Sequence, residues 1–333
     1  MGAGLAAVAF AVGAVASLTT SWLLVSRLER VGERLGLSEA LLGLLAALAA
    51  DTPEITTAVT ALAHHQRAVG AGVIVGSNIF NLAALLGLGA VVAGRVRLHR
   101  KVVALGGAVA LWVSIVCLAA ITDLVEPLVA LGLVLIVLVP YIIVLGARRT
   151  QIQRLPLPRG WGTWLASAVD EEALELVIAI RPQRGKPRDV LAAAAALVVV
   201  VLASVTMERG ASALGQHYAV AAVLVGGLAL AAVTSLPNAV AAVYLATKAR
   251  GAAALSTALN SNTLNVAAGL LIPAAVIGLA RPSGPGVLIA GCYVGLTALT
   301  LGLAYTGNGL RRRAGWAIIA GYAVFVVALL SAS

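Results

Sequence analysis

Ten apolar runs, separated by short charged or Gly- and Pro-containing segments, dominate the sequence. Each run is long enough for an apolar helix to cross a bilayer, which takes roughly 17–25 residues. Only 11% of the residues are charged, against roughly 25% in an ordinary soluble domain. The sequence therefore predicts an all-α polytopic membrane protein with ten transmembrane helices. The runs are 4–25, 38–63, 68–93, 102–122, 125–147, 189–206, 215–247, 252–279, 285–305 and 314–331.

The positions of the basic residues predict how these helices are oriented. If the N-terminus lies outside, 20 of the 23 Lys and Arg residues fall on the cytoplasmic side, as the positive-inside rule requires. Only Arg67, Arg209 and Arg281 then lie outside. We expect an integral protein of the cell membrane, plasma or inner, with both termini outside and the 148–188 loop in the cytoplasm. The net charge of +10 then needs no nucleic-acid partner.

The long loop divides the chain into a first five-helix repeat at 1–147, a linker at 148–188 and a second five-helix repeat at 189–333. Because each repeat has five helices, equivalent helices cross the membrane in opposite directions, as in many secondary transporters. A possible amphipathic helix at 161–180 lies within the linker. We interpret it as a solvated connector on the membrane surface, with a regulatory cation site as the alternative. Its acids are Asp170, Glu171, Glu172 and Glu175.

A polar signature occurs twice in the chain, at a constant offset of 184 in residue number. An ungapped comparison of 44–87 with 228–271 gives twelve identities, of which eight are Leu, Ala or Val. The other four are one Pro, one Ser and two Asn in a single register. The chain has only seven Asn, and six of them lie in these two segments. The sequence therefore indicates a duplication. The polar matches are Pro53 with Pro237, Ser77 with Ser261, Asn78 with Asn262 and Asn81 with Asn265.

Asp51 and Glu54 lie on either side of Pro53, near the middle of the second apolar run. Ionisable residues at the bilayer midplane are costly and are functional candidates. Proline has no N–H and clashes with the carbonyl four residues earlier, so we expect the helix to open and free the Ala49 carbonyl. Pro237 would free the Val233 carbonyl in the same way. Such a carbonyl needs a partner within the membrane, and a cation would serve.

The oxygen-bearing side chains near the two prolines form a candidate metal site. Asp51 and Glu54 share one helix face, and Ser77 and Asn81 share another. Carboxylate, amide, hydroxyl and backbone oxygens suit Ca²⁺ or Na⁺ better than Zn²⁺ or Cu²⁺. The alternative is that the amides and hydroxyls only hydrogen-bond between helices. The candidate set is Ala49, Asp51, Glu54, Ser77, Asn78, Asn81, Val233, Thr234, Ser235, Asn238, Ser261, Asn262 and Asn265.

These motifs resemble those of the cation/calcium exchanger superfamily, which includes sodium/calcium and proton/calcium exchangers. Both repeats of that family carry a G-T-S-x-P-E-like break followed by a G-S-N-x-x-N/D helix, which residues 76–81 and 234–237 match. The resemblance implies two inverted five-helix halves, cation binding between helices 2, 3, 7 and 8, and sliding of helices 1 and 6. It also implies that Glu54 is the first acidic ligand. Its coordinating neighbours would be Ser77, Asn81, Thr234 and Ser235.

The sequence departs from the family pattern at four positions. Asn238 stands where the second repeat usually has glutamate, and Asn265 stands where aspartate is frequent. Ala50 replaces the usual threonine, whereas Asp51 replaces a usual serine. We hypothesise that Asp51 compensates in part and leaves two acids at the site, enough to neutralise one divalent or two monovalent cations. Repulsion between these acids favours proton over sodium coupling.

The sequence thus predicts a secondary active cation antiporter that exchanges Ca²⁺ for H⁺ or Na⁺ by alternating access. Its predicted partners are inorganic cations and the lipid bilayer, with no cofactor. Because the second glutamate is lost, a cation-binding sensor or scaffold without exchange activity is the alternative. We do not predict an enzyme, because no GxSxG or HExxH pattern occurs. We also expect no further acid at the depth of Asp51 and Glu54.

Overall fold

The computed structural model describes residues 2–36, 39–147, 151–152, 158, 160–179, 185–240 and 251–332. Most of these residues are helical, as the sequence predicts. Several sequence-based expectations lie outside the described residues. They concern the C-terminal part of the 215–247 run, with Lys248 and Arg250, and the basic residues Arg148, Arg149, Arg154, Arg159, Arg181 and Arg184.

The described residues form α-helices, three π-helical segments and two short strands. In chain order the first repeat and linker contain α1 (Ala3–Arg34), α2 (Glu39–Ala50), α3 (Thr52–Ala63), α4 (Arg67–Asn81), π1 (Leu82–Leu88), α5 (Gly89–Ala93), β1 (Arg95–Arg97), α6 (Arg100–Ile121), α7 (Pro127–Gly146) and α8 (Trp161–Ala179). The second repeat contains α9 (Pro187–His217), α10 (Ala222–Leu224), π2 (Val225–Leu230), α11 (Ala231–Thr234), α12 (Gly251–Leu264), π3 (Asn265–Leu271), α13 (Ile272–Ile277), α14 (Gly284–Thr306), β2 (Gly309–Arg311) and α15 (Arg312–Ala332).

Eight continuous helical segments of the described chain are long and apolar enough to cross a membrane. The other two predicted crossings are interrupted helices. One consists of α2 and α3, and the other begins at α10 and is described as far as residue 240. The eight continuous segments are 3–34, 67–93, 100–121, 127–146, 187–217, 254–277, 284–306 and 312–332.

The offset of 184 in residue number also relates the helix bounds of the two halves. Adding 184 to the bounds of α1, α6 and α7 gives 187–218, 284–305 and 311–330. The bounds of α9, α14 and α15 agree with these values to within two residues. The helix break at Asp51 maps in the same way onto the break at Ser235. Both repeats therefore fold with the same series of elements and the same spacing.

The helix α9 extends beyond its predicted end. The apolar run stops at 206, whereas the helix ends at His217. Glu208 and Arg209 interrupt the apolar run, but the sequence has no proline there to end the helix. Packing against α1 stabilises the extension. A Cβ on Gly210 would lie 2.6 Å from the Phe10 backbone nitrogen, so the helices touch backbone to backbone.

The contacts along α1 and α9 show that the two helices run antiparallel. Near the middle, the Ser17 and Ser204 hydroxyl oxygens are 2.9 Å apart in a hydrogen bond. At the far end, Arg27 Nη1 donates to Asp189 Oδ1 at 2.7 Å, and the two groups form an ion pair. The N-terminus of α1 therefore lies on the same side of the bundle as the C-terminus of α9.

A two-stranded antiparallel sheet is the one departure from an all-α fold among the described residues. Arg95 pairs with Arg311, Val96 with Leu310 and Arg97 with Gly309. The alternation of charged and apolar residues in β1 places Val96 inside, where it is 2% exposed. The sheet joins the loop after α5 to the loop before α15. The sequence predicts both loops on the cytoplasmic side. The pairing of β1 with β2 agrees with this prediction, because it places the two loops at the same end of the bundle.

The predicted linker helix is present as α8, and it packs against α2, α6 and α12. Ala166 and Ala168 are fully buried, and Lys101 Nζ donates to Ser167 Oγ at 2.6 Å. The expectation of a solvated connector is therefore wrong for one face of α8, which covers the ends of the transmembrane helices. The predicted end at Ile180 lies outside the described residues.

Close packing between α4 and π2 brings the third and seventh crossings together. A Cβ on Gly76 would lie 2.2 Å from the Gly227 carbonyl oxygen, and a Cβ on Gly226 would lie 2.3 Å from the Val69 oxygen. Only glycine permits backbones this close. The contact holds Ser77 and Asn78, which follow Gly76 directly, against the second repeat.

We expect Gly76→Ala to destabilise the protein, because the new methyl group would collide with backbone atoms that cannot rotate away. Overpacking of this kind costs roughly 1–3 kcal/mol or more. Thermal unfolding in detergent micelles measures the change. Gly132→Ala in α7 is the matched control, because its Cβ would have nothing within 4 Å. Equal unfolding temperatures for Gly76→Ala and the wild type would contradict the proposed packing.

Candidate cation-binding site

Both predicted helix breaks are present and have nearly the same backbone conformation. Asp51 separates α2 from α3 with φ −80° and ψ −6°. Ser235 follows α11 with φ −85° and ψ −4°. Pro53 and Pro237 lie two residues after these positions, and a proline ring prevents a regular helix through the break. The two breaks meet inside the bundle, where their side chains make direct contacts.

Glu54 is fully buried and is held by donors from the second repeat. Its Oε1 atom accepts a hydrogen bond from Ser235 Oγ, and its Oε2 atom accepts one from Asn265 Nδ2. Both donors are neutral groups. In the described part of the chain, no Lys, Arg or His lies within ion-pair distance of Glu54. The carboxylate charge is therefore available to a cation.

Asp51 is also fully buried, and it too contacts the second repeat. Its Oδ1 atom accepts hydrogen bonds from Asn238 Nδ2 at 2.8 Å and from Ser261 Oγ at 2.6 Å. Its Oδ2 atom has no hydrogen-bond partner. A buried carboxylate oxygen without a partner is costly. It is therefore a candidate ligand for a cation.

The contacts of the two acids are related by the repeat. The offset of 184 carries Asp51 onto Ser235 and Glu54 onto Asn238, so the Asp51–Asn238 contact is the counterpart of the Ser235–Glu54 contact. In the Ser235–Glu54 contact the acid follows Pro53 directly, and in the Asp51–Asn238 contact the acid lies two residues before Pro53. The Asp51–Asn238 contact thus carries its carboxylate at position 51 and its amide at position 238, whereas the Ser235–Glu54 contact carries its carboxylate at position 54.

Four asparagine side chains join the repeats in a nearly symmetric network. Asn78 Nδ2 donates to the Asn262 carbonyl oxygen at 3.0 Å, and Asn262 Nδ2 donates to the Asn78 carbonyl oxygen at 3.0 Å. Asn81 Nδ2 donates to Asn262 Oδ1 at 3.1 Å, and Asn265 Nδ2 donates to Asn78 Oδ1 at 3.2 Å. Asn78 and Asn262 use both ends of their amides for these bonds. They therefore position the site as braces between the repeats.

Three unpartnered oxygen atoms belong to the side chains that surround the acids. They are Asp51 Oδ2, Asn81 Oδ1 and Asn265 Oδ1, and each has no hydrogen-bond partner. All three side chains are fully buried. Carboxylate and amide oxygens are ligands of hard cations. Among the described residues no three His, Cys, Asp or Glu side chains cluster.

The remaining candidate residues lie at the edge of this cluster. Ser77 Oγ is 3.4 Å from both Thr234 Oγ1 and the Ala231 carbonyl oxygen. Thr234 donates to the carbonyl of Leu230 in its own helix at 2.9 Å. Coordination by these hydroxyls, and by the Ala49 and Val233 carbonyls, stays a prediction.

The π-helical segments π1 and π3 begin beside the paired asparagines. The segment π1 follows Asn81 directly, and π3 starts at Asn265. A π-helix has wider backbone spacing than an α-helix and is frequent at functional sites. No pattern in the sequence distinguishes it from an ordinary helix.

Two polar groups outside the predicted set were not identified from the sequence. Tyr141 donates to Asn260 Oδ1 at 3.0 Å, and Asn260 Nδ2 donates to Ser256 Oγ at 3.0 Å. Asn260 directly precedes Ser261, so its position in the repeated segment could have indicated it. Glu208 is the second group, and it is fully buried in α9. The sequence-based expectation of no further acid concerns only the depth of Asp51 and Glu54. It does not cover Glu208, which lies near the Gln66 end of α3.

The fold has counterparts among solved structures. The H⁺/Ca²⁺ exchanger CAX aligns with a TM-score of 0.70 and 15% identity over 98% of this chain and 82% of its own. The sodium-calcium exchanger NCX_Mj, soaked with Na⁺ and Sr²⁺, aligns with a TM-score of 0.61 and 17% identity over 98% and 99% of the two chains. A comparison with curated proteins finds no match. At these identities the likeness shows the fold.

In the described residues, eight continuous helical segments and two interrupted ones form an inverted-repeat membrane fold like that of these two exchangers. The family described as sodium/calcium exchanger protein matches residues 5–149 and 189–331. The chain belongs to the sodium/calcium exchanger protein family. This confirms the resemblance drawn from the paired sequence motifs.

We expect Glu54→Gln to lower Ca²⁺ affinity at least about 100-fold, because loss of a buried charged partner costs roughly 3 kcal/mol. Equilibrium binding of ⁴⁵Ca²⁺ to the purified protein measures this. Glu126→Gln is the matched control, because Glu126 is an exposed acid before α7. Wild-type affinity in Glu54→Gln would remove this carboxylate from the site.

Proposed function

We propose that the protein exchanges Ca²⁺ for H⁺ by alternating access, with the cations bound between the two broken crossings. The observation that carries the proposal is the pair of buried carboxylates, Asp51 and Glu54, held only by neutral donors. Unpartnered oxygens of Asn81 and Asn265 accompany them. This set is suited to a hard cation that enters from solution.

The charge of the two acids favours an electroneutral cycle. One Ca²⁺ or two monovalent cations would neutralise two carboxylates, so either load leaves the site without net charge. Enclosing a site with a net charge in the low-dielectric interior, away from water, costs free energy. When bound cations neutralise the two acids, this cost is removed. The protein would therefore change between its outward-open and inward-open conformations only with cations bound.

Protons are the proposed counter-ions because the two acids lie three residues apart in the same broken helix. Like charges in a buried site repel, and protonation relieves the repulsion without additional ligands. A sodium ion would instead need several oxygen ligands, as Ca²⁺ does. Coupling to Na⁺ is the alternative that direct flux measurements distinguish.

We propose that Asp51 takes over the role of the acid absent at position 238. The proposal is supported by the repeat-related contacts, because Asp51 reaches Asn238 in the way that Ser235 reaches Glu54. Ser261 also donates a hydrogen bond to Asp51 at 2.6 Å. Ala50 lacks the hydroxyl of Thr234, to which the offset of 184 relates it. The acid has therefore changed helices while the contact is kept.

We also propose that both termini lie outside and that α8 lies at the cytoplasmic face. The β1–β2 sheet and the Lys101–Ser167 bond gather basic loops and the linker at one end of the bundle. At the other end Arg67 donates to the carbonyls of Ile277 and Leu279 at 2.7 and 3.2 Å. The distribution of basic residues then orients the basic end inward.

Reconstituted flux tests the proposed exchange. We expect an imposed proton gradient to drive ⁴⁵Ca²⁺ uptake into vesicles containing the protein, with opposite proton flux reported by a pH-sensitive dye. A sodium gradient of equal size, with pH clamped, should drive none. Protein-free vesicles are the control.

Ca²⁺ uptake driven by sodium alone would overturn proton coupling and leave the exchanger function intact. Ca²⁺ binding with no uptake under either gradient would instead support the sensor or scaffold alternative.

A charge-relocation series tests the role of Asp51. We expect Asp51→Ser to lower Ca²⁺ transport by at least about tenfold, because one of two charged ligands is lost. The double variant with Asp51→Ser and Asn238→Glu returns the acid to the opposite side of the same contact and should restore transport. Asn238→Glu alone would create a third acid and should not match the double variant.

Glu126→Gln again controls for unspecific effects of removing an acid. Equal loss in the single Asp51→Ser and the double variant, with both proteins folded, would show that position 51 does not replace position 238.

A further inference from the structure

Glu208 is a buried acid that the proposed exchange site does not use. Among the acids whose burial the structure describes, four are buried: Asp51, Glu54, Asp189 and Glu208. Asp189 is paired with Arg27 at 2.7 Å and lies 3.8 Å from Arg30. Glu208 has no cationic partner within ion-pair distance among the described residues. A fully buried carboxylate without such a partner is costly and requires a reason.

The hydrogen bonds of Glu208 point to a bound proton. Ser212 Oγ lies 2.8 Å from Glu208 Oε1 and 2.6 Å from Gln66 Oε1, whereas Glu208 Oε2 has no partner. A serine hydroxyl has one hydrogen and cannot donate to both acceptors. Because Gln66 Oε1 can only accept, Ser212 donates its one hydrogen to Gln66, and the Ser212–Glu208 hydrogen bond then needs a proton on Glu208. Glu208 then donates to Ser212, and Ser212 donates to Gln66.

The Gln66–Ser212 end of this chain opens on a cavity. Gln66 and Ser212 both line a cavity of about 420 Å³, together with His65, Arg67 and Gln216. Glu208 precedes Ser212 by one helical turn, about 6 Å along the axis of α9. The cavity lies at the end of the bundle that we propose to be outside. Glu208 is therefore linked to outer water through one hydroxyl.

On the inner side, polar groups of α3 extend from this level towards Glu54. Thr57 and Thr60 lie between Glu54 and His64 on adjoining faces of the helix. Thr57 is fully buried, and its hydroxyl has no hydrogen-bond partner. The distance from the level of Glu54 to that of His64 is about 15 Å along the axis. The helix α3, which carries these hydroxyls and Glu54, packs directly against α9, which carries Glu208.

The charged groups around Glu208 favour a proton over a metal ion. Arg209 on the same helix lies 3.5 Å from His64 at the end of α3, and Arg67 begins α4. His65 faces the cavity, and His217 ends α9. The part of α1 at 3–26 and the segment at 222–234 contribute no titratable side chain. These groups repel a divalent cation more strongly than a hydronium ion, which carries half the charge, and a proton can also move along hydrogen bonds.

We propose that Glu208 is a proton relay between the outer cavity and the exchange site. A hydronium ion in the cavity protonates Ser212 Oγ and leaves as water, while Ser212 passes its own proton to the Glu208 carboxylate. Glu208 returns to the carboxylate when its proton moves on towards Glu54 on the adjoining helix α3. This inference rests on the proposed Ca²⁺/H⁺ exchange.

The test uses the full protein in vesicles and compares the wild type with Glu208→Gln and Glu208→Asp. We expect Glu208→Gln to slow proton-driven Ca²⁺ uptake by at least about tenfold, because the group that accepts and releases the proton is gone. Exchange of ⁴⁵Ca²⁺ for unlabelled Ca²⁺ needs no proton and should continue at the wild-type rate. Glu208→Asp should recover uptake with a shifted dependence on outer pH. Glu126→Gln should match the wild type.

Each other outcome overturns the inference. Wild-type proton-driven uptake in Glu208→Gln would exclude the relay and leave the proposed function standing. Equal loss of both kinds of exchange, in Glu208→Gln and in Glu208→Asp, would indicate a structural role. A wild-type protein that moves Ca²⁺ without protons would refute the proposed proton coupling itself, and the relay with it.

Discussion

The structure depends on the interaction of two carboxylates with neutral donors in an apolar interior. Asp51 and Glu54 lie within a bundle whose interior is largely apolar, where an unpaired charge is costly. Their hydrogen-bond donors come from the second repeat. Both acids are therefore held across the contact between the two repeats. The broken helices, the asparagine braces and the glycine contacts between α4 and π2 bring those donors within reach.

The two repeats share a backbone plan but not a distribution of charge. Helix bounds, helix breaks and the Asn78–Asn262 bonds follow the offset of 184 closely. The acids do not, since both are in the first repeat. A repeat-related contact specifies only where two side chains meet. Either partner can supply the acid, so the chain can exchange acid and amide at this contact while the fold stays the same.

Much of this arrangement could be predicted from the sequence, because the constraints are local or repeated. Apolar runs predict crossings, prolines predict the breaks, and the second copy of the proline and of Ser-Asn-x-x-Asn shows which segments meet. The rest depends on contacts made only in the folded chain. Packing against α1 stabilises the extension of α9, and the β1–β2 pairing joins loops from opposite halves of the chain. The sequences of π1 and π3 do not differ from those of ordinary α-helices. Glu208 lies beyond an apolar run that ends at 206, so its burial could not be predicted from hydropathy.

Repeat-related positions on the two sides of the proposed site carry chemically different residues. The counterpart of Glu208 at the offset of 184 is Leu24, and the counterpart of Asn260 is Gly76. On the side that we propose to be outside, Glu208 contacts Ser212 beside a cavity lined by Arg67 and His65. On the side that we propose to be inside lies the neutral chain of Tyr141, Asn260 and Ser256. An inverted repeat lets one backbone mechanism open the site to either side. Under the proposed relay, protons move along the acid-bearing side while neutral groups line the other side, so the symmetric fold has different chemistry at its two faces.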